Sequence, residues 1–407
     1  MREIIDNNIK LNKIINDFLD NGFEIYFVGG VVRDYLLHRE IHDIDFTTSA
    51  SPSDVIELLK EDYKLSLNGL KHGTVGVIID GKMYEITTFR TEGGYLDKRH
   101  PDYVRFVKNI YEDLARRDFT INALAVSLQN DNEVIDYFDG ISDLNNHIIR
   151  TVLNPDRRFT EDALRILRAL RFASSLSFEI EEETEKSIVK NYHLLKDISS
   201  ERIVDEIKRM IVCVNFKEVF LKYSFVFEFV LELELNEDKI KEIYHSIDKL
   251  DNDFERLALL FKYSKDESGA LTNLRFSNFE KKVITHSIEI INSEVLDDRD
   301  VRMLFRNYSN KDVLYGLRCK GALDGKSDYY LDLYNKNIDK PNRIKSLKVN
   351  GYALIRNKVC KKNIGRILNK LLDEVINGDL ENEYDVLIER SKQIEADFHL
   401  QNDQNLV

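Results

Sequence analysis

The chain has 407 residues, 43% of them hydrophobic, enough for about two to four packing units and too apolar for a disordered protein. Its 72 acidic and 59 basic residues leave a net charge of −13, which excludes a protein that coats nucleic acid through general positive charge and confines any such contact to a local basic patch. No charge-free apolar run approaches the ~18 residues of a membrane span; even residues 221–235 carry Lys222, Glu228, Glu232 and Glu234.

Helical periodicity covers residues 2–20, and a strand is expected at 24–28. That strand passes through Gly29-Gly30 into a helix at 31–38; glycines there let backbone amides approach a phosphate, although the pair alone reads as an ordinary turn. The next strand, 43–48, carries Asp43 and Asp45 at i and i+2, which points both carboxylates to one side, where they suit a pair of divalent ions. A helix at 53–60 and strands at 74–80 and 82–90 follow. Glu85, on the last of these, is placed to act as third ligand or as base for an incoming hydroxyl, with a solvated strand glutamate as the plain alternative. Residues 111–126 read as a helix containing Arg116, Arg117, Asp118 and Asn122. Arginine clamps triphosphate oxygens, while Asp118 and Asn122 suit ribose hydroxyls or local bracing. A strand at 134–138 closes this α/β head.

Ten of the 17 glycines precede residue 150, and neither glycine nor proline occurs from Asp156 to Ser268. The apolar residues there recur at helical spacing, so an all-α body is expected to follow the head. Residues 158–171 read as one amphipathic helix with Leu164, Ile166, Leu167 and Leu170 inward and Arg158, Glu161, Arg165 and Arg168 outward. Asp162 and Arg165 are i, i+3 neighbours, and an acid acceptor beside a guanidinium donor reads the Watson–Crick edge of a base; a surface salt-bridge row is the plain alternative. Arg171 projects nearly opposite Asp162. Residues 341–370 hold nine bases and no acid, a local concentration suited to phosphates, with Lys358, Lys361 and Lys362 at its centre.

The first eight residues mix acids and amides, so no secretory signal is expected. Cys213, Cys319 and Cys360 are isolated and lack zinc-site spacing, which points to free thiols in a reducing compartment, the cytoplasm by default. His72, alone before a strand, is given no role.

Taken in order, Gly29-Gly30-x-x-Arg33-Asp34, Asp43-x-Asp45, the run Arg116 to Ala123, Asp136-x-x-Asp139-Gly140, Glu161-Asp162-x-x-Arg165, the run Glu201 to Ile207, and Val349-Asn350-Gly351 with Ile364-Gly365 resemble the class II tRNA nucleotidyltransferase and bacterial poly(A) polymerase family, in its bacterial CCA-adding branch. The resemblance covers nearly the whole chain. It implies a nucleotidyltransferase-fold catalytic head (1–155), then an all-α neck (156–215), body (216–335) and basic tail that binds tRNA (336–407). It further implies Mg²⁺ and template-independent addition of C and A from CTP and ATP to the 3′ end of tRNA. Asp43 and Asp45 then match the metal ligands; Gly30, Arg33 and Arg117 the triphosphate and sugar contacts; Asp162 and Arg165 the base-reading pair; and Arg168 and Arg171 the lining of the nucleotide pocket. Residues 93–101 sit where the family keeps a flexible loop needed for A addition. Lys361-Lys362-Asn363 departs from the glycine-proline pair that many members carry before Ile364-Gly365. The alternatives are an A-only tRNA nucleotidyltransferase, a poly(A) polymerase, and an inert RNA- or nucleotide-binding protein, which the intact Asp43 and Asp45 disfavour. Oligomeric state is left open.

Overall fold

The computed structural model describes residues 1, 8–93, 103–129 and 133–404 and divides into two compact units, Met1–Val230 and Leu231–Val407. Of the stretch 93–101, all but Gly93 lies outside the described residues. No helix among them is long and apolar enough to cross a membrane.

The first unit is built on a mixed seven-stranded sheet. Its strands are β1 (Ile25–Val28), β2 (Asp45–Thr48), β3 (Lys64–Ser66), β4 (Thr74–Ile79), β5 (Lys82–Thr88), β8 (Leu124–Ser127) and β9 (Val134–Asp136), in the order β3-β4-β5-β2-β1-β8-β9. β6 (Arg90–Gly93) and β7 (Tyr103–Phe106) form a separate antiparallel ribbon, and β10 (Ile148–Ile149) pairs with β11 (Glu179–Ile180). Local chemistry sets the starts of the early helices; the first, expected over 2–20, is described from Ile9, residues 2–7 lying outside the described residues. Asn8 caps Ile9–Asp20 by accepting from the Leu11 amide, and Ser51 with Asp54 forms a reciprocal capping box at Pro52–Leu59.

Two expectations fail here for physical reasons. Residues 111–126 are not one helix: Ile110–Ala115 stops, a 3₁₀ turn follows at Thr120–Asn122, and Leu124–Ser127 is a strand. Asp118 accepts the Phe119 amide at 2.9 Å and turns the chain, after which Leu124, Ala125, Val126 and Ser127 are buried between β1 and β9. Sheet burial overrides the helical pattern. Residues 158–171 are likewise two helices, Pro155–Glu161 and Leu164–Leu176, because Asp162 is extended (φ −146, ψ 103) and accepts the Leu164 amide at 3.1 Å.

The second unit, among the described residues, is helical apart from an isolated Leu233–Ser264 bridge. Asn278–Asn292 packs on Asn310–Asp324 around Ile290, Val313 and Leu317, and a further core gathers Leu354, Ile367, Leu371, Leu387 and Ile394. Lys361–Asn363 makes a 3₁₀ turn into the Ile364–Asn377 helix without the family's glycine-proline pair, anchored by the Cys360 amide donating to Glu395 at 2.6 Å.

Gly316 sits where the two large helices cross; a Cβ there would lie 2.5 Å from Ile290 Cβ and 3.1 Å from the Ser287 carbonyl oxygen. Gly316→Ala is expected to destabilise this unit by about 1–3 kcal/mol through overpacking, read as a lower urea midpoint; an unchanged midpoint would show that the helices separate freely.

Candidate active site

Three strands converge on a carboxylate edge. β1 ends at Val28, and Gly29 turns with φ 76 to cap the Gly30–Leu36 helix. A Cβ on Gly29 would stand 2.8 Å from Arg117 Nη1, so both the backbone angle and the close approach require glycine. β2 begins at Asp45, whose parallel register against β5 sets it beside Glu85. Asp43 precedes the strand instead of lying within it, and Asp43, Asp45 and Glu85 are all exposed.

Asp45 opens to solvent, yet the protein packed around it, together with Glu85 and Asp43, pushes its carboxyl up to about 6, with Arg117 pulling the other way. Like charges gathered with only partial compensation from Arg117 are a donor set suited to a divalent cation. Among the described residues no three His, Cys, Asp or Glu side chains form a finished metal cage. Asp43 and Asp45 are the carboxylates at this edge that could take a divalent cation, with Glu85 beside Asp45.

Arg117 is held from below by Asp113, which is completely buried. Asp113 accepts from Arg116 (3.0 and 2.8 Å), Arg117 (3.4 Å), the Arg90 amide (3.3 Å) and Thr47 Oγ1 (3.4 Å). Burial works against its charge, but the two guanidinium groups hold it below the usual carboxylate range.

A second network starts at the glycine turn. Arg33 donates to both oxygens of Asp34 at 2.9 Å and to Asn122 Oδ1 at 2.8 Å. Asn122 donates to Asp118 Oδ1 at 3.2 Å, and Arg168 closes on Asp118 Oδ2 at 2.8 and 2.7 Å. Glu206 then bridges Arg168 (3.6 Å) and Arg171 (2.6 Å). The 3₁₀ turn bearing Asn122 is pinned by Thr120 donating to buried Asp143 at 2.7 Å.

The side chains of the expected pair Asp162 and Arg165 take different partners, although the Arg165 amide donates to the Asp162 carbonyl oxygen at 3.1 Å. The helix break turns Asp162 to Arg202, at 2.8 Å. Arg165 is buried instead of outward-facing, because it donates to the carbonyl oxygens of Arg158 (3.1 Å) and Arg116 (3.2 Å) and to Glu161 (2.9 Å). In the tail, Lys358, Lys361 and Lys362 are exposed, whereas Arg343 is tied to the carbonyl oxygens of Phe305 and Tyr308 and Lys348 to Glu383. Asp113, Phe172, Arg202 and Glu206 were given no role by the sequence. The i, i+3 spacing of Asp113 and Arg116 was a readable signal; Phe172 looked like any core aromatic.

Burial of Asp118 is outweighed by the charge and hydrogen bond of Arg168, with help from Asn122 and Arg165, and its carboxyl sits well below the usual range. A depressed carboxylate stabilises the fold above its unfolded value, about 3.9, and loses that contribution as pH falls toward the folded value. Asp118→Asn should therefore destabilise by about 1–3 kcal/mol at pH 7, the gap from wild type narrowing below about pH 4. Equal losses at pH 7 and pH 3 in denaturant unfolding would remove the charge pairing from this account.

The model of the "Poly A polymerase head domain" matches residues 25–150, and that of the "Probable RNA and SrmB- binding site of polymerase A" matches residues 177–222. The CCA-adding enzyme of Lactobacillus helveticus is 38% identical over 398 residues, 93% of this chain and 95% of that protein. That of Ligilactobacillus salivarius is 37% identical, covering 97% and 98%. The crystal structure of the Bacillus stearothermophilus CCA-adding enzyme in complex with CTP is similar at a TM-score of 0.76 and 31% identity, over 95% of this chain and 98% of that one. Sheet, helices and near-full-length identity agree, and the chain belongs to the CCA-adding enzyme family of tRNA nucleotidyltransferases.

Proposed function

We propose that the protein rebuilds the 3′ CCA end of tRNA, adding C and A from CTP and ATP without a nucleic-acid template and releasing pyrophosphate. The observation that carries this reading is the single bonded network from the glycine turn through Asp118 to Arg171. It ties Arg33, proposed here for the triphosphate, to Arg168 and Arg171, proposed here for the lining of the nucleotide pocket. A fixed protein edge of that kind supports nucleotide choice without a template.

In this reading Asp43 and Asp45 hold divalent cations, Mg²⁺ by the all-oxygen donor set, and Glu85 is a third carboxylate beside them. When bound, such ions neutralise triphosphate charge and acidify the attacking 3′ hydroxyl. Gly30, Arg33 and Arg117 take the triphosphate and sugar. Asp118 and Asn122 already engage Arg168 and Arg33, which favours bracing over ribose contact. Asp162 and Arg165 remain the proposed base readers, with Arg168 and Arg171 lining the pocket; Arg165 then has to release one of its present acceptors when a nucleotide enters. The division at 1–155, 156–215, 216–335 and 336–407 into head, neck, body and tail is part of the same proposal. So is the cytoplasm, supported by three free cysteines.

The test is a gel readout on tRNA lacking all three terminal nucleotides, with CTP and ATP supplied. Completion of CCA is expected. Extension only of tRNA already ending in CC would establish the A-adding alternative, long A tracts on unrelated RNA the poly(A) alternative, and no incorporation an inert binder. Asp45→Ala should reduce C and A incorporation alike to below about 1% of wild type while tRNA binding survives, since it removes several kcal/mol of charge stabilisation common to every step.

Replacing Lys358, Lys361 and Lys362 together by Gln should weaken tRNA binding and lower the salt dependence by about three in slope, one per phosphate contact. Nucleotide preference should not change. A slope equal to wild type would leave these lysines as solvated surface.

A further inference from the structure

We propose that Phe172 is a positioning residue of the nucleotide pocket, its ring holding Arg33, Arg168 and Arg171 in one arrangement so that the triphosphate side and the base side keep a fixed separation. The inference rests on the function proposed above and adds a residue to it. Phe172 lies on the Leu164–Leu176 helix, 5% exposed, with Phe119 edge-on at 5.7 Å. Three guanidinium carbons stand around it: Arg171 at 4.3 Å, Arg33 at 5.1 Å and Arg168 at 5.3 Å from the ring centroid. Arg168 reaches the ring as its i−4 neighbour, whereas Arg33 comes from the Gly30–Leu36 helix after the glycine turn.

The chemistry of the ring matters here. A carboxylate holds a guanidinium by occupying its N–H donors; an aromatic face attracts the cation through its quadrupole and leaves the N–H edge free for a ligand. The hydrogen bonds divide the three arginines accordingly. Arg33 is bonded through Nε, Nη1 and Nη2, and Arg168 through Nε and Nη2 to Asp118. Arg171 is bonded through Nε, to Glu206, and is the guanidinium nearest the ring. The ring contact is therefore closest where a carboxylate does least of the holding. A simple core role for Phe172 would require its volume and its packing on Phe119, but not its π electrons.

Fluorination separates the two, because it withdraws ring charge at nearly constant shape. Phenylalanines bearing one, three and five fluorines are placed at position 172 of the full chain, alongside Phe172→Tyr and Phe172→Leu. Addition of C and A to tRNA lacking CCA is followed while CTP or ATP is titrated. KM for both nucleotides should climb stepwise to about tenfold at five fluorines, with kcat within about threefold and Phe172→Tyr within about twofold of wild type. Phe172→Leu should match the pentafluoro ring. A KM that is flat along the series overturns the proposal, whether or not Phe172→Leu folds, as does a rise confined to Phe172→Leu, which assigns the effect to volume. If wild type adds neither C nor A, the function proposed above fails on its own. CTP and ATP affinity by calorimetry then decides the ring's role across the same series: weakening with fluorine supports it and constant affinity overturns it.

Discussion

The ion pair between Asp118 and Arg168 is the interaction on which the arrangement of the first unit depends. Asp118 comes from the turn that follows the Ile110–Ala115 helix, and Arg168 from the Leu164–Leu176 helix, fifty positions along the chain. Taking either charge part-way out of water is costly, and removing one partner leaves the other without its nearest counter-charge. The pair therefore persists only with its remaining lone pairs and protons satisfied. Asn122 and the Phe119 amide satisfy Asp118, and Glu206 attends Arg168. Asn122 also bonds Arg33 and Glu206 also bonds Arg171, so this part-buried pair links the glycine-turn helix to the Leu164–Leu176 helix.

In the proposed function, a chain of net charge −13 has to take polyanionic substrates through local arrangements of its arginines. Many of its acids are occupied by its own arginines. Asp113 takes Arg116 and Arg117, Asp118 takes Arg168, Glu206 takes Arg171, and Asp34 takes Arg33. The acids orient the guanidinium groups before any ligand arrives, which lowers the reorganisation left for binding. Preorganisation of this kind also requires the glycine at position 29, because a side chain there would displace Arg117 from beside the Asp45 edge.

Strands with one strong chemical signature were readable in advance. β1, β2, β4 and β5 lie within residues 24–28, 43–48, 74–80 and 82–90, and the glycine turn between β1 and its helix is where it was expected. β8 was missed because Leu124–Ser127 joins smoothly in pattern to the helix before it; only its place between β1 and β9 makes an extended strand the lower-energy choice. The break at Asp162 was missed for a related reason. Leu164, Leu167 and Leu170 continue the apolar spacing across it, and periodicity does not register a side chain that caps its own following turn.

The sequence by itself determined the class of chemistry. Asp43 and Asp45 close behind Gly29-Gly30, and arginines grouped with Asp118 and Asn122, pointed to a metal-assisted reaction of phosphates, because hard carboxylate oxygens suit divalent cations and guanidinium groups suit phosphate oxygens. Their spacing also predicted an α/β head and a helical remainder, since periods of 2 and 3.6 are local properties. Tertiary structure alone decided the partners: that Arg165 turns inward to backbone carbonyls, that Asp162 meets Arg202, and that one phenylalanine faces three arginines. Which donor reaches which acceptor is set by distance across elements far apart in the chain, and a one-dimensional pattern carries no such distance.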